Sequence, residues 1–155
     1  MCLAAAVLAC ACSRISFGHN VTDDELLLRQ EIHDYYTQVQ EAFATANPDG
    51  LTTLFAPSIT HPMTHKEIED WAAKFFTENK NGHFKIEKLE IESVSYVKAS
   101  VILTYHVDTP DHKGDFGGTE RDTLTKDHNH WYIAGWDHVD LTQDNNKIET
   151  IFHAH

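Results

Sequence analysis

Apolar residues recur at three- and four-residue intervals over the first half of this chain and at two-residue intervals over the second. Leu28, Ile32, Tyr35, Tyr36, Val39 and Phe43 form one stripe, which predicts an amphipathic helix running to about Ala46. Its start is marked by Thr22-Asp23-Asp24-Glu25, a capping box in which hydroxyl and carboxylate satisfy reciprocal backbone donors, with Val21 and Leu26 as the hydrophobic staple. Asn47-Pro48 ends that helix and opens a shorter one whose inner face is Leu51, Leu54 and Phe55, up to Pro57. The same start signal returns as Thr64-His65-Lys66-Glu67, flanked by Met63 and Ile68. It is followed by Ile68, Trp71, Ala72, Phe75 and Phe76 at helical spacing and by Asn81-Gly82 as the exit. Beyond Gly82 the period changes to two. Segments 84–97, 99–109, 118–126 and 131–141 are rich in β-branched and aromatic residues, and turn-forming positions separate them. Val101, Leu103, Tyr105 and Val107 alternate with polar neighbours and should face the helices. Phe84 and Ile86 fall on one parity, Leu89 and Ile91 on the other, which predicts a bulge near Glu87-Lys88 and a bent sheet around a cavity. The fold class is therefore α+β: three N-terminal helices packed on a strongly bent antiparallel sheet, a cone-shaped half-barrel.

The N-terminal residues follow neither period. Leu3 to Ala11 is an uncharged apolar run, shorter than the roughly 20 residues of a spanning helix and about as long as a secretory apolar core. All three cysteines, Cys2, Cys10 and Cys12, lie within or beside it. The sequence Ala9-Cys10-Ala11-Cys12-Ser13 resembles a bacterial lipoprotein signal, with small residues before a cysteine that is lipidated after cleavage. Cys12 is the preferred acceptor; Cys10 is the alternative, although it follows a bulky Leu8. A short apolar helix packed on the domain is the competing account of the same run. The expected organisation is a signal peptide over 1–11, a lipidated cysteine and tether over 12–20, the domain over 21–141 and a polar tail over 142–155, from which Ile148, Ile151 and Phe152 could dock. That assigns the protein to the cell envelope, held to the membrane through the lipid anchor only.

With 155 residues, 12 basic and 24 acidic side chains and a formal charge of -12 with histidine neutral, the chain lacks the clustered cations that nucleic acid requires. Twelve histidines invite a metal reading. Yet His61 and His65 are separated by Pro62 and a cap, and the pairs His128/His130 and His153/His155 fall in a turn and a tail without a third ligand, so the expectation is no metal and no cofactor.

The element order, together with Phe43-Ala-Thr-Ala-Asn-Pro-Asp-Gly-Leu51, Leu54-Phe-Ala56, the run from Gly118 through Lys126, Trp131-Tyr-Ile133 and Trp136, resembles the nuclear transport factor 2-like superfamily and its SnoaL-like and ketosteroid-isomerase-like domains. The resemblance spans about 21–139. It implies a cone with an apolar pocket at one end, in families that include cofactor-free isomerases, dehydratases and hydrolases beside many binding proteins. The catalytic aspartate of the isomerase-like enzymes has no counterpart here, since the stretch after the second helix reads Ser58-Ile-Thr-His-Pro-Met63.

Candidate catalytic groups are His61, placed by this reading near the cone mouth as a general base, and Asp122. A buried Asp122 would be the best acid, and the blander alternative pairs it with Arg121 at solvent. Tyr36, Leu103, Tyr105 and Trp136 are expected to line the ligand site. The expected function is binding of a small, largely apolar molecule or a protein segment in the cone, with a cofactor-free isomerase, dehydratase or hydrolase as the alternative, and with a homodimer through the sheet as a further expectation.

Overall fold

The computed structural model describes residues 22–79 and 82–139. Residues 1–21, with all three cysteines and the expected signal segment and tether, Lys80 and Asn81, and residues 140–155 lie outside them. Helix α1 spans Asp23–Ala44, α2 Pro48–Thr52 and α3 His65–Glu78. They are followed by β1 (His83–Val94), β2 (Lys98–Asp108), β3 (Phe116–Asp127) and β4 (His130–His138), which pair antiparallel in the order β1-β2-β3-β4.

The two long helices start as their sequences direct, with one difference. At α3 the full box forms, the Glu67 amide donating to Thr64 and the Thr64 amide to the Glu67 carboxylate. At α1 only half of it does. Thr22 accepts from the Glu25 amide, but the Glu25 carboxylate turns along the helix to Arg29, 2.8 Å away, where a charged partner one turn on outcompetes a backbone donor. Leu26 is exposed, and Val21, its expected staple partner, lies outside the described residues. The whole predicted α1 stripe is buried. α2 closes after one turn, well before Pro57, because Phe55 bridges to Ile133 and draws the chain onto β4. Asn79 rather than Asn81-Gly82 caps α3.

The sheet bends where β1 changes parity: the β1/β2 register shifts between Ile86 and Lys88, at the anticipated bulge, and again between Ile91 and Ser93. β2 alternates as expected, with Ala99, Val101, Leu103, Tyr105 and Val107 all buried on the concave face. β3 begins earlier than predicted, at Phe116. The near approach there needs glycine, since a Cβ on Gly117 would stand 2.5 Å from the Tyr105 carbonyl oxygen. β3 and β4 join through a two-residue turn at His128 and Asn129, both at positive φ, the geometry whose twist matches antiparallel strands. α1 lies against the concave face, and Phe43 packs on Phe75, Phe76, Phe84 and Phe116, gathering an aromatic core at the end of the cone away from that turn.

Candidate functional site

Between α1, the strand interiors and the α2 segment lies a cavity of about 50 Å³. Phe43, Phe55, Trp71, Phe84, Phe116 and Trp136 are among the residues of its wall. Its polar end is made by Tyr36, Tyr105, Glu120 and Asp122, so four of the expected residues, Tyr36, Leu103, Tyr105 and Trp136, are brought together with Asp122. The volume admits a few water molecules and falls well short of the ~300–1,000 Å³ common for drug-sized ligands, so a larger guest has to displace rings.

Glu120 and Asp122 reach the interior for a simple reason. They occupy alternate positions of a strand whose other inward positions include Phe116 and Leu124, and Asp122 is paired across to Val101 and Trp136. Asp122 is fully buried, and the Tyr36 hydroxyl donates to its Oδ2 in a short hydrogen bond. Its other oxygen, Oδ1, accepts from no hydroxyl or N–H among the described residues. Glu120 is nearly as buried, and the Tyr105 hydroxyl donates to its Oε2 over a long 3.4 Å. Burial pushes the Asp122 carboxyl up to about 7 against the opposing pull of Tyr36 and Glu120, and burial with the Asp122 charge beside it raises Glu120 well above the carboxylate range. The two titrate as one unit that carries at most a single negative charge near neutrality, and a proton on Glu120 is what the neighbouring Asp122 can share. Burial and the Asp122 charge likewise hold the Tyr36 phenol well above its usual range, so it remains a donor.

Tyr35 and Tyr36 divide the work of one helix stripe. Tyr36 faces the carboxyl pair, whereas the Tyr35 hydroxyl donates to the Leu54 carbonyl at 2.8 Å and ties α1 to the chain after α2. Arg121 does not pair with Asp122; on the opposite face of the strand it holds Glu92 through two N–H donors at 2.8 and 3.0 Å.

His61 is not where the sequence reading put it. Its ring is exposed, its Nε2 stands 3.2 Å from Asp137 Oδ1, and it is absent from the cavity wall; its carbonyl oxygen packs close to Gly135 of β4, and the imidazole turns outward. The expected approach to Tyr36 and Tyr105 is not made, so a general base there cannot reach a guest in this cavity. Glu120 is the residue that sequence reasoning missed. The signal was available: Glu120-x-Asp122 puts two acids on the same face of a strand as Phe116 and Leu124.

Among the described residues one group has metal-ligand spacing, and it is none of the histidine pairs weighed above; His153 and His155 lie outside those residues. His106, Asp108 and Asp115 place ligand atoms within 4.8 Å of one another at the rim of the sheet. Each carboxylate already has partners: Lys85 and His106 on Asp108, and the Thr109 amide, Thr109 hydroxyl and His112 on Asp115. The cluster is an internally satisfied ion-pair network.

No family model and no curated protein matches the sequence. Solved structures do match in three dimensions. A candidate scytalone dehydratase from Novosphingobium aromaticivorans aligns over 86% of this chain and 99% of its own with a TM-score of 0.61 at 13% identity. A candidate dehydratase of the NTF2-like family from Streptomyces avermitilis aligns over 71% and 94% with a TM-score of 0.56 at 13% identity. Bd1075 of Bdellovibrio bacteriovorus aligns over 75% of this chain with a TM-score of 0.63 at 11% identity, and there the match spans only 41% of the other protein's length. With three helices on a curved four-stranded antiparallel sheet, the chain has the cone fold of the nuclear transport factor 2-like and SnoaL-like domains.

Proposed function

We propose that the cone binds a small, largely apolar molecule with one polar end, and that a lipidated Cys12 holds the domain at the cell envelope. The observation that carries the binding reading is the pairing of a ring-lined cavity with a buried carboxyl oxygen, Asp122 Oδ1, that accepts from no hydroxyl or N–H among the described residues. An unsatisfied buried acceptor costs about 1–3 kcal/mol, and a guest or a water that donates to it recovers that cost. Native mass spectrometry of the purified protein tests the reading: a retained small molecule is expected, and it should be lost in Leu103→Trp, which fills the cavity. A cavity that retains nothing, and gains nothing when incubated with small apolar alcohols, amines and acids, sinks it.

Cofactor-free proton transfer is the second reading, favoured by the Asp122 carboxyl near 7, which can both take and give a proton at neutral pH. Two of the similar folds are named for dehydration. In this reading Asp122 and Glu120 take the role that sequence reasoning gave to His61. Pairing of two copies through the sheet is a weaker proposal. The outer face carries the Arg121–Glu92 pair, and the large exposed apolar side chains Leu26, Leu27, Tyr96 and Val97 lie instead at the α1 start and the β1–β2 turn. The anchor rests on the lipoprotein-like segment around Cys12. Cys12→Ser should move the protein from the membrane fraction to the soluble one, while Cys10→Ser should not; equal membrane retention of both variants defeats the assignment.

A further inference from the structure

The polar end of the cavity is a concentration of acceptors. Both phenol hydroxyls there already point their protons at carboxylates, Tyr36 at Asp122 and Tyr105 at Glu120. Among the described residues no Lys, Arg or His lines the cavity, and Asp122 Oδ1 accepts from no hydroxyl or N–H; the Glu120 carboxyl is its only neighbouring acid. The proton that the pair keeps near neutrality is shared between Glu120 and Asp122, so a carbonyl or carboxylate guest would have to take it from that bond and would otherwise meet carboxyl oxygens. A guest that brings its own protons and a positive charge meets the opposite situation: a carboxyl pair to receive it, aromatic faces that attract cations along the wall, and a chain of net charge -12 outside.

We propose that the guest is a small amine, with its ammonium group donating to Asp122 Oδ1 and its apolar body among the rings of Phe55, Trp71 and Trp136. This names the ligand class of the binding reading above and rests on it. The charge balances if the ammonium enters as the pair ionises, so binding of the cation releases a proton from the pair whenever the pair starts neutral. The titratable groups that interact with Asp122 are Tyr35 and Tyr36 from α1, Tyr105 from β2 and Glu120 on β3; His138 on β4 is paired across from Glu120 and its side chain is exposed. Amine affinity should therefore rise from pH 6 to pH 8, while the ammonium remains protonated, and the affinity of an isosteric carboxylate should fall.

Three probes of one shape, isobutylamine, isobutanol and isobutyrate, separate the alternatives, and the tryptophan indoles give an internal control. Trp71 and Trp136 line the cavity and Trp131 does not. In a titration of the full chain followed by indole N–H shifts, isobutylamine should perturb Trp71 and Trp136 but not Trp131. It should bind about tenfold more tightly than isobutanol at pH 8, as a charge-assisted bond exceeds a neutral one. Asp122→Asn should erase that preference, and Glu120→Gln, whose fold the unchanged Trp131 signal would report, should reduce it. Equal or tighter binding of isobutanol or isobutyrate overturns the amine assignment and leaves the binding reading standing. Silence at Trp71 and Trp136 with all three probes overturns the amine assignment too, and the binding reading then stands or falls on the molecule retained in native mass spectrometry.

Discussion

Asp122 and Asp115 sit on and beside the same strand, yet their carboxyls are driven in opposite directions, up to about 7 for one and down to about 2 for the other. Asp115, at the rim, accepts from the Thr109 amide first, then from the Thr109 hydroxyl and His112, and these donors outweigh its modest desolvation. Asp122, in the cone, has one hydroxyl for one oxygen, none for the other and a second carboxyl next to it. The charge of each carboxyl is thus a balance of burial, which dominates at Asp122, against the donors available to the ionised form, which dominate at Asp115. The rim is arranged for stability, whereas the interior buries two adjacent acids at a cost to stability, as residues kept for binding or chemistry commonly do.

The largest test of this contrast is the pH dependence of folding. Because the folded chain holds the Asp122 proton more tightly than the unfolded chain does, the unfolded state ionises first. Stability from this group is full below its ordinary value of 3.8 and is lost as pH rises toward about 7, by on the order of 4 kcal/mol. Asp122→Asn should therefore gain on the parent protein in thermal midpoint between pH 5 and pH 8; a constant difference across that range would mean that Asp122 is ionised in the fold.

Next comes packing. Leu103→Trp, on the face beside Tyr105, should cost about 1–3 kcal/mol in chemical denaturation and remove any retained ligand, and retention of ligand by a folded variant would move the site elsewhere.

At the rim the sign reverses. Asp115→Asn should lower the midpoint at neutral pH, with the deficit shrinking as pH falls from about 4 through about 2, where the parent protein also loses its charge. A deficit that persists unchanged at the acid end would show that packing, and not the donor set, is what the residue provides.

The smallest effect belongs to His61→Ala. An exposed pair with Asp137 is worth at most about 1 kcal/mol, and affinity for a cavity ligand should not change; a large loss of affinity would return the imidazole to the site.

The sequence by itself determined the helices, the order of the strands and the bend, because these follow from local periods and caps. The α1 stripe, the Thr64 box, the alternation of β2 and the parity change at Glu87-Lys88 are each visible within a few residues. Much of the cavity wall was legible too, since Tyr36, Leu103, Tyr105 and Trp136 are inward positions of elements whose inward faces could be read. The charge state of the site was not. Whether Asp122 pairs with Arg121 or is buried depends on which face of β3 the helices cover, and Arg121 found Glu92 on a different strand. Whether His61 points in or out depends on how a connecting segment lies against Gly135, for which no local period exists. The rim network likewise joins Lys85, His106, Asp108 and Asp115 from two strands and a loop. Periodic burial is a short-range property that a sequence carries openly. The protonation of a carboxyl is a sum over neighbours that only the folded chain brings within hydrogen-bonding reach.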